Sequence, residues 1–114
     1  MCSPNQLHNI TQEVSQKAQA ILGSRLCDVI LYGSYARGDY EDGSDIDIAI
    51  LANVCDSELR PFQKQLNQVC SDIGLETGEL LTIFLYDEKL FKERLPLSPF
   101  YRNVLKDGVK IYAA

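Results

Sequence analysis

Asp45 and Asp47 stand one residue apart at the head of the apolar run "DIDIAI", where a strand that only packed would carry no charge. In an extended chain both side chains leave the same face, with Cα atoms roughly 6 to 7 Å apart. Two ionised carboxylates about 5 Å apart repel by ~3 kcal/mol at an effective dielectric near 20, so the pair calls for a compensating cation. Magnesium, a hard ion that takes carboxylate and phosphate oxygens, suits it. About a dozen residues upstream, Gly33-Ser34 ends another apolar run. Gly33 lets the backbone turn and approach a ligand without a Cβ, and Ser34 offers a hydroxyl and an N–H to phosphate oxygens. Arg37 follows three residues later, where a guanidinium can grip a triphosphate through two parallel hydrogen bonds, and Gly38 permits the next turn.

Each part alone has a plainer meaning. Gly-Ser is a common turn, an exposed arginine is a common surface residue, and alternating aspartates can mark the wet face of a strand. The acids of "DYEDGSDID" do not make a calcium loop, because Gly43 and Ile50 fall at the fifth and twelfth positions counted from Asp39, where oxygen ligands are required. A Walker-type phosphate loop is excluded by the lack of a Gly-Lys-Ser/Thr ending. The combination is more specific: a strand, Gly-Ser, a short basic turn, then alternating aspartates on a second strand.

The elements that must position these groups read as follows. Ser3, Pro4 and Gln6 are an N-cap, a first helical residue and a capping-box partner, and Leu7, Ile10, Val14, Ala18 and Ile21 recur at helical spacing, predicting a helix over 4–22 that stops at Gly23. Residues 26–32 form a β-prone run, 35–38 a helical turn, and 46–51 a second strand with its isoleucines on one face and Asp45, Asp47 and Ala49 on the other. A second long helix starts around Ser57 to Pro61, with Pro61 in its first turn, and ends at Gly74. A third strand covers 80–86, Asp87 caps a short helix through Phe91, Ser98-Pro99 opens another that ends at Gly108, and 109–112 adds an edge strand. The link between the first two strands is too short for a crossover helix, so they are expected to be antiparallel neighbours. The fold class is α/β (α+β): a small, mostly antiparallel mixed sheet covered by two long helices, forming one domain over residues 1–114.

Composition limits the partners. With 11 basic and 16 acidic residues and a net charge of −5, the chain has no basic stripe for long nucleic acid. No apolar run reaches membrane-span length and the N-terminus lacks signal-peptide character, which gives a cytoplasmic expectation. Cys2, Cys27, Cys55 and Cys70 are scattered without a C-x-x-C pair, and read as small apolar fillers in a reducing compartment. His8, the single histidine, reads as a surface residue near a helix start. A chain of 114 residues holds one cleft and little more.

"GSYARGDYEDGSDIDIAI", Gly33 to Ile50, resembles the signature of the polymerase-β-type nucleotidyltransferases, and within them the minimal nucleotidyltransferases. The ending "SPFYRNVLKDGVKIY" resembles their C-terminal part less specifically. The resemblance implies transfer of AMP from ATP to a hydroxyl, with two magnesium ions on Asp45 and Asp47 and the triphosphate on Gly33, Ser34 and Arg37. It also implies a third carboxylate on a later strand. Glu79, at the entrance of "ELLTIFLYD", is the candidate for this catalytic and metal-binding position, with Glu76 and Asp87 as weaker alternatives. Minimal nucleotidyltransferases commonly pair with a HEPN-type toxin, so the resemblance implies an antitoxin that places AMP on a tyrosine of that partner.

Two other readings stand beside this one. Without a third acid in the cleft, the chain would be a nucleotide-binding interaction module. Alternatively, a homo-oligomer would build an acceptor pocket for a small molecule, with Phe100, Tyr101 and Tyr112 as candidate interface aromatics.

Overall fold

The computed structural model describes residues 3–113, so Cys2 lies outside the described residues. Helix α1 (Pro4–Leu22) and a 3-10 turn lead into β1 (Leu26–Tyr32), the short helix α2 (Ser34–Arg37) and β2 (Ile46–Ala52). Helix α3 (Asp56–Thr77) follows, then β3 (Leu81–Asp87), α4 (Glu88–Arg94), α5 (Pro99–Asp107) and β4 (Val109–Ala113). The strands form one sheet in the order β3-β2-β1-β4. As expected, β1 and β2 are antiparallel; β1 and β4 are antiparallel too, and β2 runs parallel to β3 because α3 supplies the crossover between them.

Alternation along the strands sorts the core into two layers. Val29, Leu31, Ile48, Ile50, Ile83 and Leu85 face the long helices and pack against Val14 and Ala18 of α1 and Leu66 and Ile73 of α3. Ile30, Ala49 and Leu51 face the other way, where Phe91 of α4 and Val104 of α5 cover them. The two long helices thus cover one face only. The short C-terminal helices cover part of the other, and Asp47 shares that second face with Ala49 and Leu51.

Several boundaries differ from the sequence expectation. Helix α3 passes through Gly74 and stops at Gly78, whose left-handed backbone (φ 77°, ψ 4°) accommodates the C-terminal turn. It also starts earlier than expected, at Asp56, which puts Pro61 in its second turn; one proline near an N-terminus removes a single ladder bond and is tolerated there. Cys55 is not an apolar filler. It is exposed and precedes α3, where its N–H donates to the Glu58 carboxylate. The hydrogen bond from Arg25 to Glu58, and after it the Cys55 N–H, hold the Glu58 carboxyl down to about 2. Cys27 and Cys70 are partly buried, and His8 is exposed as expected.

The outer edge of β3 is closed by α3. The Gln63 amide donates to the Ile83 carbonyl (2.8 Å) and accepts from the Leu85 N–H (2.8 Å), standing in for a neighbouring strand.

Candidate active site

The site begins with a register. Antiparallel pairing of β1 with β2 sets Tyr32 opposite Asp47, so the residue that leaves β1, Gly33, arrives beside the Asp47 carboxylate. Gly33 has φ 75° and ψ −157°, a region essentially restricted to glycine. A Cβ built there would lie 2.5 Å from Asp47 Oδ2. The glycine is therefore demanded twice, by backbone conformation and by the aspartate packed on it. The chain then turns into α2, where the Gly33 carbonyl accepts from the N–H groups of Ala36 and Arg37, both at 3.1 Å. Ser34 thus opens the turn directly next to Asp47.

The loop from α2 to β2 is tied at both ends. The rings of Tyr35 and Tyr40 stack with centroids 4.3 Å apart, and Tyr35 is buried in the main core. Ser44 closes the turn, its N–H donating to the Glu41 carbonyl at 3.0 Å and its Oγ accepting from the Glu41 N–H at 2.9 Å. Asp45 follows this turn, exposed, one residue before β2.

Burial is the main reason the Asp47 carboxyl sits above the ordinary carboxylate range, with the Asp45 charge adding to it and the Arg37 charge opposing both. Arg37 is about half exposed and its Nε donates to Asp39 at 3.2 Å, so it offsets the pair only in part. An aspartate pair with its charge partly uncompensated fits a divalent cation. Magnesium in particular is held by one or two carboxylates, with phosphate oxygens and water completing its sphere.

A cavity of about 390 Å³ opens on these groups, within the range of small-molecule sites. Tyr32, Gly33, Ser34, Arg37 and Asp47 line one side; Phe100, Asn103, Val104 and Asp107 of α5 line the other. Tyr32 packs edge-on against Phe100, with ring centroids 6.0 Å apart. Burial pushes the Tyr32 hydroxyl well above its ordinary range, with Tyr86 and Asp47 adding to it, so it stays protonated at neutral pH.

Helix α5 reaches this position through Gly108. A Cβ there would lie 2.2 Å from the Val104 carbonyl oxygen and 2.5 Å from Ile30 Cγ2, so only glycine lets the helix end settle onto β1. Sequence reasoning did not place α5 at the cleft. The spacing of Phe100, Asn103 and Asp107 marks one helical face, but nothing local says which surface that face meets.

The structure brings together Gly33, Ser34, Arg37 and Asp47, with Asp45 close enough to raise the Asp47 pKa. Glu79 is not among the residues that line this cavity. It follows the end of α3 and lines a groove of about 470 Å³ with Cys70, Gly74, Leu75 and Leu81. The parallel register sets Thr82 beside Asp47, so the position an acid on β3 would need is held by a threonine. Asp87 instead caps α4, accepting from the Lys89 N–H, and Glu76 lines a third groove between α1 and α3. Among the described residues no three His, Cys, Asp or Glu side chains are grouped to hold a metal ion.

Comparison with known proteins agrees with the signature. Residues 8–111 match the family model described as a nucleotidyltransferase domain. A protein of Methanocaldococcus jannaschii, provisionally named a protein adenylyltransferase, is 38% identical over 88 residues, which cover 77% of this chain and 80% of the relative. A second, similarly named protein of that organism is 35% identical over 81 residues, covering 71% and 80%. Among solved structures, a toxin-antitoxin crystallised with AMP-PNP aligns with TM-score 0.54 at 17% identity, over 90% of this chain and 73% of the other. A chain from Shewanella oneidensis aligns with TM-score 0.51 at 14% identity, over 93% and 71%. At such identities the structural likeness is one of fold.

Proposed function

The chain belongs to the nucleotidyltransferase domain family, and from that membership we propose that it transfers AMP from ATP to a protein hydroxyl, acting as the antitoxin of a HEPN-type toxin whose tyrosine receives the AMP. The observation that carries this reading is the packing of the Asp47 carboxylate on Gly33, which brings the acid and the Gly-Ser turn into one cavity. The names of the M. jannaschii relatives support adenylyl transfer to protein. The toxin partner is supported by fold likeness to chains of toxin-antitoxin complexes.

In the proposed reaction the acceptor oxygen attacks the α-phosphorus, a new O–P bond forms, the bond to the β-phosphate bridging oxygen breaks, and pyrophosphate leaves. The hydroxyl proton is released. Ser34 and the α2 backbone hold the leaving phosphates, Arg37 matches their charge, and Asp45 and Asp47 would hold the magnesium ions. When bound, magnesium offsets the charge that develops on the leaving group and lowers the pKa of the attacking hydroxyl. The protein's share is positioning and electrostatics.

A second reading, a nucleotide-binding module that does not transfer, is favoured by Thr82 beside Asp47 and by the distinct groove in which Glu79 lies. One experiment separates the two. The protein is incubated with magnesium, α-labelled ATP and a HEPN-type toxin protein. Label on that partner, lost in Asp45→Ala and Asp47→Ala, is the expected result. Magnesium-dependent nucleotide binding without labelling of any protein selects the module.

A further inference from the structure

The proposed reaction leaves the α5 side of the cavity without a role. Its lining there is specific in type: an aromatic ring, an amide and a carboxylate at Phe100, Asn103 and Asp107. These lie at i, i+3 and i+7, on one face of α5, over a rise of about 10 Å. The pairing of Val109 with Leu31 holds the C-terminal end of α5 on β1, and Phe100 packs on Tyr32, the residue before Gly33. The whole face therefore borders the cavity that Gly33, Ser34 and Asp47 line from the other side.

We propose that this face of α5 is the nucleoside subsite, in which Phe100 stacks the base, Asn103 reads its edge and Asp107 accepts from the ribose hydroxyls. The assignment rests on the nucleotidyltransferase reading and adds the base it selects. Phe100 packs against Tyr32 and Tyr101 yet keeps 46% of its surface exposed, which leaves ring area for a second aromatic system. Asn103 is exposed on the turn between the other two, and an asparagine amide pairs through two hydrogen bonds with adenine N6 and N7 but not with guanine O6 and N7. Asp107 is partly buried. A carboxylate offers only acceptors, and a ribose diol offers two donors.

The test is calorimetric titration of the full chain, in magnesium, with non-hydrolysable ATP, GTP and dATP analogues. Wild type is expected to bind the ATP analogue about tenfold or more tighter than the GTP analogue. Phe100→Ala should weaken all three by about tenfold. Asn103→Ala should bring the ATP and GTP analogues together, and Asp107→Asn should remove the difference between ATP and dATP. Asn103→Ala, at an exposed position, keeps the test open if Phe100→Ala loses its fold. Variants at all three positions that bind like wild type, while Asp47→Asn abolishes binding, would overturn the subsite and leave the family reading intact. Wild-type protein that takes up no nucleotide would overturn both.

Discussion

Replacing Gly33 with alanine tests whether the Asp47 carboxylate is placed by the turn that follows β1. Two penalties are expected. The backbone at φ 75° and ψ −157° lies in a region that costs a non-glycine residue ~1 to 3 kcal/mol. The new Cβ would also lie 2.5 Å from Asp47 Oδ2, where ordinary contact begins near 3.4 Å, so the carboxylate must retreat by about 1 Å. A displacement of that size at a reacting centre costs ~100-fold in rate. The control is Gly78→Ala. That glycine also has positive φ (77°), but a methyl group added there would meet nothing within 4 Å, and it caps α3 away from the cavity. Both variants should lose ~1 kcal/mol or more in thermal melts, a fall in Tm of several degrees for a chain of this size. Only Gly33→Ala should lose AMP transfer, measured with labelled ATP at a temperature where every protein is folded. Equal transfer by the two variants would refute the reasoning, because the loss would then follow stability alone.

Other expected outcomes concern charge and packing. Asp47 is raised by burial and by Asp45, so the native state holds its proton more tightly than the unfolded chain does, and stability falls as pH rises through that raised value. Asp47→Asn should therefore match or exceed wild type in stability at neutral pH in EDTA. That advantage should vanish below the ordinary value of 3.8, and transfer should be lost at every pH. Glu58 shows the opposite sign: lowered from 4.5 to about 2, it stabilises fully above the higher value and not below the lower. Glu58→Gln should melt below wild type at pH 7, with the gap closing as pH falls from 4.5 toward 2. Gly108→Ala should destabilise by ~1 to 3 kcal/mol through overpacking against Val104 and Ile30, and should weaken nucleotide binding as α5 is pushed from the cavity. Gln63→Ala removes two hydrogen bonds from the edge of β3 and should lower stability by ~1 to 3 kcal/mol in urea titrations.

What the sequence determined by itself was local. The Ser3 cap, the apolar period of α1, the alternation in β2 and the Gly-Ser break after β1 are each set by neighbours within a turn or a strand, so they can be read from adjacent residues. The shortness of the β1–β2 link even carried one tertiary fact, the antiparallel pairing that brings Ser34 near Asp47. Helix α3 departs from the local signals at both ends for a related reason: Gly74 and Pro61 are local breakers, overruled by packing of Leu66, Val69 and Ile73 on the sheet. The rest depended on long-range register. Parallel pairing of β2 with β3 puts Thr82 beside Asp47 and leaves Glu79 in another groove, a one-to-one match of residues that no spacing within β3 discloses. Likewise the wall made by Phe100, Asn103 and Asp107 exists because Gly108 lets α5 close onto Ile30, a contact between residues far apart in the chain that only the folded sheet brings together.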